Sequence, residues 1–353
     1  MNYFVLGYYA LLIGGSCLAA YYQLRSAFLL IFSLTLASFV IGIVGGESWL
    51  WNMTLAAGAI ALAAGTSYAF REFLVVILPR EGAKTMRTAP LTASFGLFII
   101  GVYTIAGVFA PVIAPFGEAE IVTDAFGAPS EVYLLGGDQL GRDLFSRLVY
   151  GARNTVGLAL MATAAAFFMG AFAGLLAATV GGWFDQFMGR TADVIMSIPS
   201  LIFALLMLSI FGTNMLILVV IVAIIYSPRV FRLTRAVAGN IVVMDYIEAA
   251  RLRGEGMWYL IRKEILPNAT APLIAEFGLE FCFVFLLIAG LSFLGLGIQP
   301  PTADWGSMVR ENATLISFGE ITPLYPAAAI ALLTVSVNFV VDWMLFRSSG
   351  LKE

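Results

Sequence analysis

NTVGLALMATAAAFFMGAFAGLLAATV, residues 154–180, runs for 27 residues without a charged side chain. As a helix rising 1.5 Å per residue it would reach about 40 Å, beyond the roughly 30 Å of a bilayer's hydrocarbon core. The run is continuously apolar rather than alternating, which excludes a transmembrane β-strand. Backbone polar groups in lipid have to be satisfied within the segment, so a helix is the expected form.

Eight other runs pass the same ruler, at about 3–20, 27–45, 50–69, 91–114, 193–212, 214–234, 272–296 and 323–346. The whole composition agrees. The 353 residues are 61% hydrophobic and 12% charged, where soluble domains are about 45–50% apolar and about 25% charged. The chain therefore reads as an all-α polytopic membrane protein. The first run has no Lys or Arg before Arg25 and is followed almost at once by a second, so it is expected to be a retained span and not a cleaved signal.

Fifteen of the nineteen Lys and Arg fall in alternate gaps: Arg25; Arg71, Arg80, Lys84 and Arg87; Arg190; seven from Arg229 to Lys263; and Arg347 and Lys352. Only Arg142, Arg147, Arg153 and Arg310 lie in the others. The positive-inside rule then predicts nine spans with the N-terminus outside and the C-terminus in the cytoplasm.

Several chemistries are excluded. Histidine is absent, removing the commonest metal ligand and general base, and no metal site is expected. Cys17 and Cys282 lie far apart in apolar runs and read as small buried hydrophobes. No basic stripe with interleaved aromatics suggests nucleic acid. No Gly-rich phosphate loop is present, so the chain is expected neither to bind nor to hydrolyse ATP, and no cofactor is expected on it.

The longest inside gap carries DYIEAARLRGEGMWYLIRKEILPNA, residues 245–269. Asp245 and Glu248 form a D-x-x-E capping pattern that predicts a helix from Tyr246. Gly254 and Gly256 are expected to end it, and a second helical segment, about 257–265, should stop before Pro267. Ala249 and Ala250 leave one face nearly flat, suited to close approach by another backbone. Such a helix pair facing the cytoplasm fits a groove on a soluble partner.

Glu248-Ala249-Ala250, with Gly254 six residues after the Glu and Ile265-Leu266-Pro267 further on, resembles the EAA loop of ATP-driven importer permeases. LGGDQLGRDLFSRLVYGAR (135–153) and AGLSFLGLGIQPPTADWGSM (289–308) are similar to segments of the dipeptide, oligopeptide and nickel permeases. The three motifs come in order over roughly 91–346. The resemblance implies a six-helix permease core, preceded here by three additional N-terminal helices. Asp245, Glu248, Ala249, Ala250, Gly254, Leu266 and Pro267 would form the coupling loop against a nucleotide-binding subunit. The implied division is 1–70 extra helices, 71–90 cytoplasmic linker, 91–153 first core helix and external segment, 154–346 permease domain with the loop at 236–271, and 347–353 cytoplasmic tail. The implied partners are a second permease, two ATP-binding subunits that carry the ATP and Mg, an extracytoplasmic binding protein and lipid. The implied cargo is a peptide or a related small solute.

Other features admit two readings. In 135–153, Leu140, Leu144 and Leu148 recur every four residues, predicting a short amphipathic helix on the outer face or on neighbouring spans, with Asp138 as its cap. Glu276 and Glu280 could be functional intramembrane carboxylates, although pairing with basic residues at helix ends is the favoured reading. Together with Asp193 and Asp342 they are the groups a proton-coupled secondary transporter would use, which is the alternative function. Arg229, Arg232 and Arg235 make a basic face that snorkelling explains. Pro199 and Pro228 should each kink a span. Asp304, Trp305 and the prolines at 300–301 read as a rigid outer turn in preference to a docking surface for the binding protein.

Overall fold

The computed structural model describes residues 48–348 together with 14, 15, 18, 19 and 31. Apart from those five residues, the first two apolar runs lie outside the described residues, as do Cys17, Arg25 and the tail from 349. The chain divides into two units, Met1–Phe98 and Ile99–Glu353.

In the first unit, α1 (Ser48–Ile77) carries the third apolar run. It continues beyond 69 because FLVVIL at 73–78 resumes the apolar pattern. Arg71, expected in a gap, lies inside this helix, stacked over the Tyr68 ring at 5.1 Å and beside Glu72 at 3.6 Å. A short α2 (Arg80–Arg87) follows Pro79, with Glu81 in its first turn and Lys84 and Arg87 in its last, as the helix dipole favours. α3 (Leu91–Val108) begins in this unit and runs into the second.

The second unit continues with α4 (Leu144–Val180), which has a π-helical turn at Ala152–Val156. Then come α5 (Gly182–Met196), α6 (Ser200–Phe211), α7 (Met215–Val242), α8 (Asp245–Leu252), α9 (Met257–Phe293), α10 (Trp305–Asn312) and α11 (Leu324–Ser348). Among the described residues there is no strand, only isolated bridges at Ile121–Arg142 and Gly137–Asp143. Among the described residues six helices are long and apolar enough to cross a membrane, or seven if α5 and α6 form one broken span.

α5 and α6 meet at 87° across Ser197–Pro199. Pro199 is the N-cap of α6, where its missing N–H costs nothing and its ring cannot extend the preceding helix. Pro228 behaves differently. It lies buried inside an unbroken α7, held by packing on α4. Of the two prolines, Pro199 separates two helices and Pro228 lies within one.

The packing of α4 on α7 explains that hold. A Cβ on Gly170 would come 2.7 Å from Val230 Cβ, and one on Gly174 would come 2.7 Å from Thr234 Cβ. Small residues at a helix contact let backbones approach, which in lipid replaces hydrophobic burial as the source of association. The core around them joins Leu158, Ala162, Leu218, Val222, Phe285 and Ile288.

Candidate functional site

The two ends of this bundle hold different chemistry. At one end, α8 carries the 245–252 stretch. Met244 takes its N-cap position and supplies no side-chain cap, and the helix begins at Asp245. The expected capping box with a start at Tyr246 is corrected accordingly: Asp245 is the first residue inside the helix, where an acid still favours the positive end of the dipole. Its other end is as expected. Gly254 has φ +85°, its N–H donates to the Arg251 carbonyl at 2.9 Å, and the Glu255 N–H donates to the Ala250 carbonyl at 3.2 Å. These two bonds are the Schellman pattern, which needs a left-handed residue at this position.

α8 has two distinct faces. Ile247 and Ala250 are fully buried against Leu175 of α4, Ala238 of α7 and Ile261 and Ile265 of α9. Asp245, Glu248, Ala249 and Gly254 are exposed. Beside them stand apolar side chains in the open: Leu252 is 84% exposed and Val243 79%. The two alanines therefore do different jobs. Ala250 seats the helix on its own bundle, and Ala249 is on the outward surface.

Leu266 and Pro267, both exposed, do not end the second segment as expected. A π turn at Leu260–Ile265 runs directly into the α-helix beginning at Leu266, with Pro267 in its first turn. The wider turn loosens the ladder where proline cannot donate. The loop is further tied down by Trp258, stacked on Phe172 of α4 at 6.0 Å, and by Asn268, which donates to the Tyr246 hydroxyl at 3.3 Å. Neither tie was visible in spacing, because both join residues distant in sequence.

The other end holds a buried polar cluster. The Arg142 Nε donates to Asp138 Oδ2 at 2.7 Å and its Nη2 to Glu311 Oε2 at 3.0 Å. The Arg147 Nη1 donates to the Glu118 carbonyl at 3.0 Å, and its Nη2 reaches Glu311 Oε2 at 3.4 Å. Asp138, Arg142, Asp143 and Arg147 are all buried. Of the two placements expected for a short helix here, packing on neighbouring elements is the one observed, with Leu144 in the core and Leu148 packed against it. Asp143, not Asp138, caps α4 by accepting from the Ser146 N–H at 2.8 Å, while Asp138 closes the preceding turn by accepting from the Leu140 and Arg142 N–H groups. The sequence signal for this cluster was a pair of opposite charges four apart, occurring twice, at Asp138/Arg142 and Asp143/Arg147.

Asp304 and Trp305 are buried beside it. Asp304 Oδ2 accepts from the Ser307 N–H at 2.8 Å and Oδ1 from the Thr155 hydroxyl at 2.9 Å. Burial pushes its carboxyl above the ordinary range, against the downward pull of those bonds. Trp305 is 1% exposed and its Nε1 donates to the Leu148 carbonyl at 2.9 Å. This is the rigid turn the sequence suggested.

Among the described residues Glu276 and Glu280 form no ion pair with a helix-end cation. Glu280 is 2% exposed in mid-helix, and its Oε2 has no hydrogen-bond partner among the described residues. Among the described residues no group of His, Cys, Asp and Glu could hold a metal ion.

Residues 166–348 match the family described as binding-protein-dependent transport system inner membrane component. The chain is 32% identical to the dipeptide transport system permease protein DppC of Alkalihalophilus pseudofirmus, over 74% of this chain and 86% of that one. It is 34% identical to the di/tripeptide transport system permease protein DppC of Pseudomonas aeruginosa, over 70% and 84%. With the glutathione transport system permease protein GsiD of Pectobacterium atrosepticum the identity is 33%, over 70% and 82%. The matched stretch holds α8 and its supporting ends of α4, α7 and α9. The chain belongs to the binding-protein-dependent transport system inner membrane component family, the multi-pass inner-membrane permeases of ATP-driven importers.

Proposed function

We propose that this permease forms half of the translocation path for short peptides and is driven through α8 by a separate ATP-hydrolysing subunit. The observation that carries the reading is the two-sidedness of α8. Ile247 and Ala250 lock it to three spans, while Glu248, Ala249 and Leu252 face away from the chain. A push on the outward face would thus reach α4, α7 and α9 together. Alternating access of this kind needs a two-state element that nucleotide biases from one side and loaded binding protein from the other. Peptide cargo is inferred from what the named relatives carry.

The assembly we infer has a second permease, two ATP-binding subunits holding ATP and Mg, and an extracytoplasmic binding protein. This chain supplies no nucleotide site. Its nine spans would run from an outside N-terminus to a cytoplasmic C-terminus, with 1–70 as added helices, 71–90 as linker, 91–153 leading into the core at 154–346, and 347–353 as tail. Asp245, Glu248, Ala249, Ala250, Gly254, Leu266 and Pro267 make up the coupling loop.

Reconstituting the assembled transporter with Glu248→Ala or Gly254→Trp tests this. Loss of both peptide uptake and binding-protein-stimulated ATP hydrolysis is expected. Unchanged activities in both variants would reject the coupling role, and uptake driven by an ion gradient without ATP would favour the secondary-transport alternative.

A further inference from the structure

Arg229 lies within the apolar run at 214–234, where a charged side chain is costly. It is the fifteenth of the 28 residues of α7, about 21 Å along the axis from Met215 and so inside a hydrocarbon layer of about 30 Å. It is exposed on the chain. Its guanidinium carbon is 5.5 Å from the centroid of the Tyr226 ring and 5.0 Å from that of Phe283 on α9. The Tyr226 hydroxyl donates to the Phe283 carbonyl at 3.1 Å, which fixes the two rings as a cradle.

Glu276, Glu280 and Phe283 follow one another at helical spacing on α9. Glu276 is half-buried, and Glu280 is buried with its Oε2 unpartnered among the described residues. The Arg229 charge acts on both carboxyls, yet among the described residues neither forms an ion pair with it.

A guanidinium exposed at this depth does not face lipid tails; such groups face a bundle interior or a water-filled cavity. The aromatic faces attract the cation without neutralising it. The arrangement thus offers a cation and a carboxyl pair within electrostatic reach of each other but not joined. That is the complement of a small molecule bearing one carboxylate and one ammonium.

Resting on the peptide-importer reading above, we propose that Arg229 and Glu276 line the translocation path and form a transient site for the charged termini of a short peptide. Arg229 takes the terminal carboxylate, and Glu276, with the buried Glu280 one turn behind it, takes the terminal ammonium. Conduction requires such a site to be weak enough to release, and a single guanidinium on aromatic supports meets that requirement.

The test uses the assembled transporter in liposomes with a free dipeptide and its C-terminally amidated counterpart. Arg229→Gln should raise the KM for the free dipeptide by about tenfold to a hundredfold, the value of one charge-assisted hydrogen bond. Uptake of the amide should stay near wild type, and Arg229→Lys should recover part of the loss. Basal ATP hydrolysis reports that the assembly is intact. Equal losses for both peptides, or no loss for either, would overturn the proposal. If the wild-type assembly imports no peptide at all, the cargo reading fails by itself. The path is then judged by Arg229→Cys in a chain with Cys17→Ala and Cys282→Ala. Labelling by a charged, membrane-impermeant thiol reagent in the nucleotide-free or vanadate-trapped state supports a water-filled path at this position. Absence of labelling in both states overturns it.

Discussion

The indole of Trp305 fills the space that a side chain on Gly151 would need. Its Nε1 donates to the Leu148 carbonyl, and its ring meets Tyr103 at 5.4 Å and Phe285 at 6.2 Å. The indole therefore clamps α3, α4 and α9 where α10 begins. Trp305→Ala should cost about 3–5 kcal/mol, as removal of a fully buried aromatic does. Gly151→Ala should cost about 1–3 kcal/mol by overpacking the same contact. Thermal unfolding of the purified chain in detergent checks both, and a neutral Gly151→Ala would show that the indole can move aside.

Arg147 and Glu311 are the shared members of the polar cluster, since Glu311 accepts from both arginines. Arg147→Met should destabilise by about 3 kcal/mol, because it leaves the buried Asp138 and Glu311 carboxylates with Arg142 as their one remaining cation and the Glu118 carbonyl without its donor. Adding Glu311→Met to that variant should cost less than the sum of the single changes, the sign of a coupled pair. Strict additivity in the unfolding free energies would mean that the two side chains do not act on each other.

How much of this could be read from the sequence follows from what each signal depends on. Helix type came from runs of apolar residues, which is a local property, and α1, α3, α4, α7, α9 and α11 each overlap an expected run. The end of α8 at Gly254 was legible because a left-handed exit favours glycine whatever surrounds it. The Asp245 cap was misread because Asp143 and Asp304 make real caps with the same residue type, and spacing alone cannot separate an N-cap residue from a first-turn residue. The burial of Arg147 was illegible for another reason. Its partners Glu118 and Glu311 are brought to it by other parts of the chain, so only the tertiary fold distinguishes it from a snorkelling surface cation.

Two glycines should fail in opposite ways. Gly174 faces Thr234 and the Phe231 carbonyl so closely that Gly174→Ala must spread α4 from α7, at about 1–3 kcal/mol. Gly254 faces open space but has φ +85°, so Gly254→Ala should cost about 1–2 kcal/mol through backbone strain alone, and Gly254→Asn less. Hydrogen exchange separates the two. The first substitution should speed exchange along α4 and α7, the second only over 245–255, and a uniform change across the bundle would contradict this division.

Leu252 and Ile247 lie on the same short helix, five residues apart, yet belong to opposite faces. Ile247→Asp buries an uncompensated carboxylate among Leu175, Ala238 and Ile265, so the loop should detach and the chain lose stability by more than about 3 kcal/mol. Leu252→Asp replaces a side chain that touches little of its own chain, and surface changes of that kind stay within about 0.5 kcal/mol. If the outward face is where the ATP-hydrolysing subunit docks, the same substitution places a charge in an apolar contact and should abolish copurification of that subunit. The informative quantity is the contrast between the two variants. A stable Leu252→Asp chain that has lost its partner separates docking from folding. A Leu252→Asp chain that still binds its partner and supports stimulated ATP hydrolysis would move the contact elsewhere on the molecule.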